Sequence, residues 1–310
     1  MKKVWIDTDL AVGMERIGRE GYSDVDDGYA ILQLMKSDKV EIKGISAVFG
    51  NTSIENAYDL SKYMSKEFAN NSIPVYKGAG EKIDLVKVDT NEAVEAMAEA
   101  LKKEKLTIMA IGPATNVGIL LLKYPDLADQ IEEVVLVAGR RKSTDYFSIG
   151  NKGRRAPDLN FDLCNDSFRV MFENNISVVL CPFEISNKVW LTDEDLDTLA
   201  KGDAANKWLA EKSRNWIAQW KEQGESGFNP FDVLASHYII EPNDIVFEKL
   251  NARLEIHVND MLSNPPGGRV KGQNEEFKQY LLCDKKAGFP VTYCYDVVDD
   301  YHEKLMKSLM

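Results

Sequence analysis

Through the first 180 residues, short β-branched runs alternate with segments of helical periodicity, and that alternation leaves few folds open. Strand candidates are Lys3 to Asp7, Ile42 to Phe49, Ile73 to Tyr76, Leu106 to Ile111, Glu133 to Ala138 and Ser177 to Cys181. Between them, Asp26 to Lys36, Ser53 to Asn70, Asn91 to Lys103, Ala114 to Lys123 and Asp166 to Asn174 read as helices. Repeated βαβ units predict an α/β fold, with a mostly parallel central sheet, helices on both faces and a Rossmann-like core. Beyond Thr192 the pattern turns helical. Thr192 is an N-cap ahead of Asp193, Glu194 and Asp195, acids that suit a helix start. Helices are expected at Ala204 to Gln223 and Pro230 to Ile240, then strands at Ala252 to Val258, Tyr280 to Cys283 and Val291 to Tyr295. Asn264-Pro265-Pro266-Gly267-Gly268 reads as a turn, and Val297 to Leu309 as a closing helix. The chain shows no internal repeat, low-complexity tract or linker. One domain over residues 1–310, with a helical outcrop at about 192–240, is the expectation.

A chain of 310 residues that is 44% hydrophobic supports a full core of this kind. The net charge of −12 disfavours a phosphate backbone, so nucleic acid is not an expected partner. Cys164, Cys181, Cys283 and Cys294 are far apart and form no C-x-x-C pair, which predicts reduced, structural thiols. The chain enters a strand directly, and no apolar run reaches the ~18 residues of a membrane span. A cytoplasmic protein with no membrane partner is expected.

The chemistry concentrates where strands end. Lys3-Val4-Trp5-Ile6 reads as a buried first strand, so Asp7-Thr8-Asp9 sits at its carboxyl end, where open α/β sheets bind ligands. The segment Asp24-Val25-Asp26-Asp27 then opens a helix toward the same crevice. Asp7, Asp9, Asp26 and Asp27 would repel one another unless protons or a cation neutralised them. Oxygen-only ligands of this kind suit a hard cation such as Ca²⁺ or Mg²⁺. A D-x-D after a strand is weak by itself, since phosphatases, glycosyltransferases and structural caps share it. Further residues join it at the same edge: Gly50-Asn51, Ile111-Gly112-Pro113-Ala114-Thr115-Asn116, Asp158-Leu159-Asn160 ahead of a helix, and Asn229-Pro230-Phe231-Asp232.

Taken in order, these residues resemble the nucleoside hydrolase family of the inosine–uridine-preferring type, over nearly the whole chain. The family's D-x-D-x-x-x-D-D motif is present in two halves, Asp7-Thr8-Asp9 and Asp26-Asp27, separated by an insertion within Leu10 to Val25. The resemblance implies calcium-dependent hydrolysis of the N-glycosidic bond of ribonucleosides, giving free base and ribose. It implies that Asp9, Asp27, Asp232 and the backbone carbonyl of Ile111 hold the calcium, with Asp9 also the base that deprotonates the attacking water. Asp26 and Asn51 would hold the 2′-hydroxyl. Asn160 and Asp158 would grip the 3′ and 5′ hydroxyls with help from Asn151, and Asp7 would support the cluster from behind. It also suggests a homodimer or homotetramer.

The match departs at four places. Phe231 stands where the family often carries a His that protonates the leaving base. Trp216 and Trp220, four apart on one helix face, either stack on the base or simply pack. Asp158 replaces Glu, and Cys164-Asn165-Asp166 replaces D-P-E at a helix cap. Arg140-Arg141 stands where glycines are usual, as a phosphate site or a solvated loop. The insertion, with Glu15, Arg16, Arg19, Glu20 and Tyr22, either folds over the pocket to supply an acid or is an inert or subunit-contact loop. His237 reads as a packed core residue. Two other readings share these residues: a haloacid-dehalogenase-type, Mg²⁺-dependent phosphohydrolase built on Asp7 and Asp9, and a non-catalytic ribose or nucleoside binder.

Overall fold

In the computed structural model, which describes residues 1–16, 18, 20–148, 150, 155–264 and 275–310, the alternation forms the expected layers. The first half runs β1 (Lys2–Thr8), α1 (Asp26–Lys36), β2 (Val40–Ala47), α2 (Ile54–Ala69), β3 (Val75–Lys77), α3 (Glu92–Leu101), β4 (Leu106–Ala110), α4 (Thr115–Lys123) and β5 (Ile131–Leu136). A small ribbon of β6 (Phe147–Ser148) and β7 (Arg155–Ala156) leads into α5 (Leu159–Leu163), α6 (Asn165–Glu173) and β8 (Val178–Leu180). Next come α7 (Phe183–Ser186), β9 (Leu191–Thr192), α8 (Asp193–Leu199), α9 (Ala204–Glu222), β10 (Gly227–Phe228) and α10 (Val233–Ile240). The chain closes with β11 (Ile245–Val258), β12 (Phe277–Asp284), β13 (Phe289–Val297) and α11 (Tyr301–Leu309).

Nine strands form one sheet in the order β12-β11-β13-β8-β5-β4-β1-β2-β3. The run from β13 to β3 is parallel, and β11 and β12 add an antiparallel edge. Strand β1 lies between β2 and β4, so the order reverses there and the carboxyl ends open a crevice. Successive side chains of β1 serve opposite cores. Val4 and Ile6 pack with α1, α9, α10 and α11, whereas Trp5 packs with α3, α4 and α6. The helical segment starts on a capping box, in which Thr192 and Asp195 satisfy each other's backbone donors. It ends with α10, which packs against α1 and reaches β5.

Three boundaries differ from the sequence expectation. Asp158 to Asp162 winds into α5, with Asp162 N–H donating to the Asp158 carbonyl at 2.8 Å, and within the helix itself only Phe161 is buried. Strand β11 begins at Ile245, where half-buried Glu248 and exposed Lys249 interrupt the apolar pattern of a stretch that pairs with β13 alone before Asn251 adds β12. Val297 still pairs with Ile245, so the last helix starts only at Tyr301. The expected turn after Asn264 and the insertion's Arg19 fall outside the described residues. All four cysteines are free and buried. Among the described residues, no helix is long and apolar enough to cross a membrane.

Trp5 links the core to the crevice. Its Nε1 donates to Ser46 Oγ at 3.0 Å, and its ring stacks on Tyr76. Gly44 leaves the space the ring fills, since a Cβ there would lie 2.7 Å from ring carbons. Gly44→Ala should therefore lower stability by about 1–3 kcal/mol, the usual cost of overpacking a rigid core. An unchanged midpoint in denaturant unfolding would contradict this packing.

Candidate active site

The carboxyl end of β1 carries Asp7 and Asp9, two residues apart and so on one side of the chain. Asp7 Oδ1 accepts from Asn116 Nδ2 at 2.7 Å and from the Ser46 hydroxyl. Asp9 Oδ2 accepts from the Asn51 N–H at 2.7 Å. Two glycines permit this closeness. A Cβ on Gly50 would lie 1.9 Å from Asp9 Oδ2, and one on Gly112 would lie 2.8 Å from the Asp9 nitrogen. The N-termini of α1 and α10 face the same point. Asp27 accepts from the Thr8 hydroxyl and the Asp9 N–H and is hydrogen-bonded with Asp232, while Asp26 accepts from the Asp232 N–H. Helix N-termini favour negative charge, which explains acids at both.

These carboxyls are nevertheless out of water: Asp7 and Asp9 are 0% exposed, Asp27 1%, Asp26 and Asp232 4%. Burial pushes Asp7 and Asp27 up to about 6. Burial, then the neighbouring carboxylates, pushes Asp9, Asp26 and Asp232 well above the usual carboxylate range. Buried oxygens of Asp7, Asp9 and Asp26 receive no hydrogen bond. Carboxylate oxygens of Asp24, Asp26 and Asp27 lie within 4.8 Å of one another. Asp26 is common to both groups, and carboxylate oxygens gathered at this spacing, with a donor-free oxygen of Asp9 in the same electrostatic cluster, fit a hard divalent cation.

Above the cluster lies a cavity of about 200 Å³. Asp26, Asn51, Ile111, Asp158, Asn160, Trp216 and Asp232 all line it, so the structure brings seven sequence-identified residues together. Asp9 and Asp27 sit beneath its wall, Trp220 lines an adjoining cavity with Gln219 and Gln223, and Asn151 is outside the described residues. Asn160 Nδ2 donates to the Ile111 carbonyl at 2.8 Å and to that of Val137 at 3.2 Å. Asp158 Oδ2 accepts from the Gly139 N–H at 2.8 Å. The arginine pair behind it is neither a phosphate site nor a solvated loop. Arg140 is buried, donating to Asp260 at 2.9 Å between the rings of Phe183 and Tyr280. Arg141 pairs with Glu184 and Glu248.

The far end of the cavity is aromatic. Phe231 meets Phe147 edge-on at 5.3 Å, and Phe183 and Trp216 complete the wall. Trp216 and Trp220 pack against each other at 6.1 Å, so both are core residues and Trp216 also faces the cavity. The described residues of the insertion pair with one another at this end, with Glu15 bridged to Tyr22 and Arg16 N–H donating to the Gly21 carbonyl. Arg16 and Asp24 reach the cavity. His237 is buried against Gln33 and Asp244 and is structural. Cys164 sits at the start of α6, where its thiol meets the Ser167 hydroxyl at 2.9 Å rather than capping the backbone. Sequence reasoning gave no role to Asp24 or Phe183. Asp24 directly precedes the acid pair, and Phe183 follows β8 at the carboxyl edge, so both carried a positional signal.

The raised carboxyls set a pH dependence. Without a cation they stay protonated in the folded chain at pH values where the unfolded chain has ionised. The stability they contribute is present below the ordinary aspartate value of 3.8 and is lost as pH rises through about 6 for Asp7 and Asp27. Chelator-treated protein should therefore melt at lower temperature near pH 7 than near pH 5, and Ca²⁺ should reverse the loss near pH 7. A melting point in chelator that climbs across this interval would contradict the electrostatics.

The family model described as inosine-uridine preferring nucleoside hydrolase matches residues 4–287. A probable uridine nucleosidase 1 of Oryza sativa subsp. japonica is 26% identical over 262 residues, covering 74% of this chain and 78% of its own. A non-specific ribonucleoside hydrolase of Escherichia fergusonii is 25% identical over 252 residues, covering 71% and 77%. Among solved structures, the purine-preferring ribonucleoside hydrolase from Gardnerella vaginalis superposes with TM-score 0.76 over 99% of this chain and 98% of that one, at 18% identity. A plant nucleoside hydrolase gives the same score at 17% identity, over 99% and 97%, and both show the fold. The chain belongs to the inosine-uridine preferring nucleoside hydrolase family and is a hydrolase of the ribonucleoside N-glycosidic bond.

Proposed function

We propose that the reaction depends on a calcium ion held by Asp9, Asp27, Asp232 and the Ile111 carbonyl, and that Asp9 is also the base that takes the proton of the attacking water. Support comes from one observation above all: buried carboxyls from β1, α1 and α10 converge beneath a cavity that also presents Asn51, Asp158 and Asn160. The ion, when bound, neutralises these acids and lowers the pKa of a water at its surface. Asp9 is arranged for its part, with one oxygen fixed by the Asn51 N–H and the other without a donor. Asp26 and Asn51 take the 2′-hydroxyl, and Asn160 and Asp158 the 3′ and 5′ hydroxyls; Asn151 joins them on the family resemblance alone. Asp7, clasped by Ser46 and Asn116, fixes β1 from behind.

As the C1′–N bond breaks, positive charge develops on the ribose, and the surrounding carboxylates stabilise it. The hydroxyl contacts hold the ring while this happens. The aromatic wall of Phe147, Phe183, Trp216 and Phe231 receives the base and keeps water from it. A homodimer or homotetramer, on the family resemblance, and a cytoplasmic location, on the sequence pattern, complete the reading.

Release of free base from a panel of nucleosides, with calcium added or chelated, tests the proposal. Activity should require the divalent ion, and p-nitrophenyl phosphate should not be cleaved. Asp9→Ala should lower turnover by at least about 10²-fold, the low end for losing a positioned base, while circular dichroism stays as in the parent. Wild-type-like hydrolysis by that variant would refute the role of Asp9.

A further inference from the structure

We infer that Arg16, carried by the insertion between the two halves of the acid motif, is the leaving-group residue of this enzyme, bearing directly on the departing base. The inference rests on the hydrolase reading above. Base departure is the step for which Phe231 supplies nothing, because a phenyl ring neither donates a proton nor carries charge. The electron pair of the broken C1′–N bond stays on the base, the water oxygen bonds to C1′, and Asp9 takes the water's proton. The base therefore leaves bearing negative charge, until solvent protonates its nitrogen. Of the described side chains that line the cavity, Asp24, Asp26, Asp158 and Asp232 are acidic and only Arg16 is cationic.

Its position matches that task. The guanidinium lies 5.7 Å from the centre of the Trp216 ring, one of the aromatic residues of the cavity wall. The insertion that carries it is fastened to α9 on purpose-built contacts. Tyr22 N–H donates to Gln219 Oε1 at 2.9 Å, and Gln219 Nε2 donates to the Tyr22 carbonyl at 3.2 Å. Gly13 and Gly21 press their backbones onto the same helix, with φ of +65° and +100°. A Cβ on Gly13 would lie 2.4 Å from the Lys212 carbonyl, and one on Gly21 would lie 2.3 Å from Gln219 Oε1. An inert loop has no need of such close seating.

A guanidinium keeps its proton at every working pH, so Arg16 acts by charge and hydrogen-bond donation rather than by proton transfer. Its forked donors fit a base with a carbonyl oxygen, as in hypoxanthine or uracil. The test compares natural nucleosides with p-nitrophenyl β-ribofuranoside, whose nitrophenolate departs without help. Arg16→Met in the full chain should lower kcat/KM on inosine or uridine by about 10²-fold, the loss typical of removing one donor to developing charge. The same variant should keep nitrophenyl riboside cleavage within a few fold, and Arg16→Lys should recover part of the nucleoside activity. Retained nucleoside activity in Arg16→Met, or an equal fall on both substrates, would overturn the inference. A wild-type chain that cleaves neither substrate would overturn the hydrolase reading itself, and this inference with it.

Discussion

Acidic side chains crowded together out of water govern this structure. Two unit charges 4 Å apart repel by roughly 4 kcal/mol at an effective dielectric near 20, and a hydrogen bond to a charged group returns only about 1.5–3 kcal/mol. Asp9, Asp26, Asp27 and Asp232 make several such pairs. The donors from Thr8, Asn51 and the Asp232 N–H therefore offset only part of the cost. Much of the surrounding chain serves the same cluster. Gly50 and Gly112 let backbone approach Asp9, and two helix N-termini supply partial positive charge. What remains is a deficit of positive charge that a divalent ion or protons must fill.

The opposite wall of the cavity solves a related problem differently. Asp158 is a short acid in the place of a longer one, and it is buried too. Burial raises its pKa, and the nearby Arg140 guanidinium works against that rise. Arg140 belongs to an interior network in which Asp260 binds both Arg140 and Lys278, and Lys278 also binds Asp162. The departures from the family pattern at 140 and 158 are thus adjacent in space, an arginine set behind a shortened carboxylate.

The sheet was legible because its parallel strands are buried on both faces and read as continuous apolar runs, from Val4-Trp5-Ile6 to Val178-Val179-Leu180. The cluster was legible because D-x-D at a strand end and an acid pair at a helix start are local patterns. Long-range partners left no local pattern. Arg140 reads as a phosphate site or a solvated loop because nothing near it in sequence reveals Asp260, 120 residues on. The insertion leaves both its readings open in the sequence because its anchor, Gln219, lies 197 residues beyond Tyr22. Strand β11 was cut short because an edge region carries charges among its apolar positions.

If these acids share one ion, a crystal grown with calcium will hold it among their oxygens. Anomalous density is expected within about 2.3–2.6 Å of oxygens from Asp9, Asp27, Asp232 and the Ile111 carbonyl. An ion bound by Asp24 and Asp26 with Asp9 and Asp232 turned away, or no ion at saturating calcium, would contradict it.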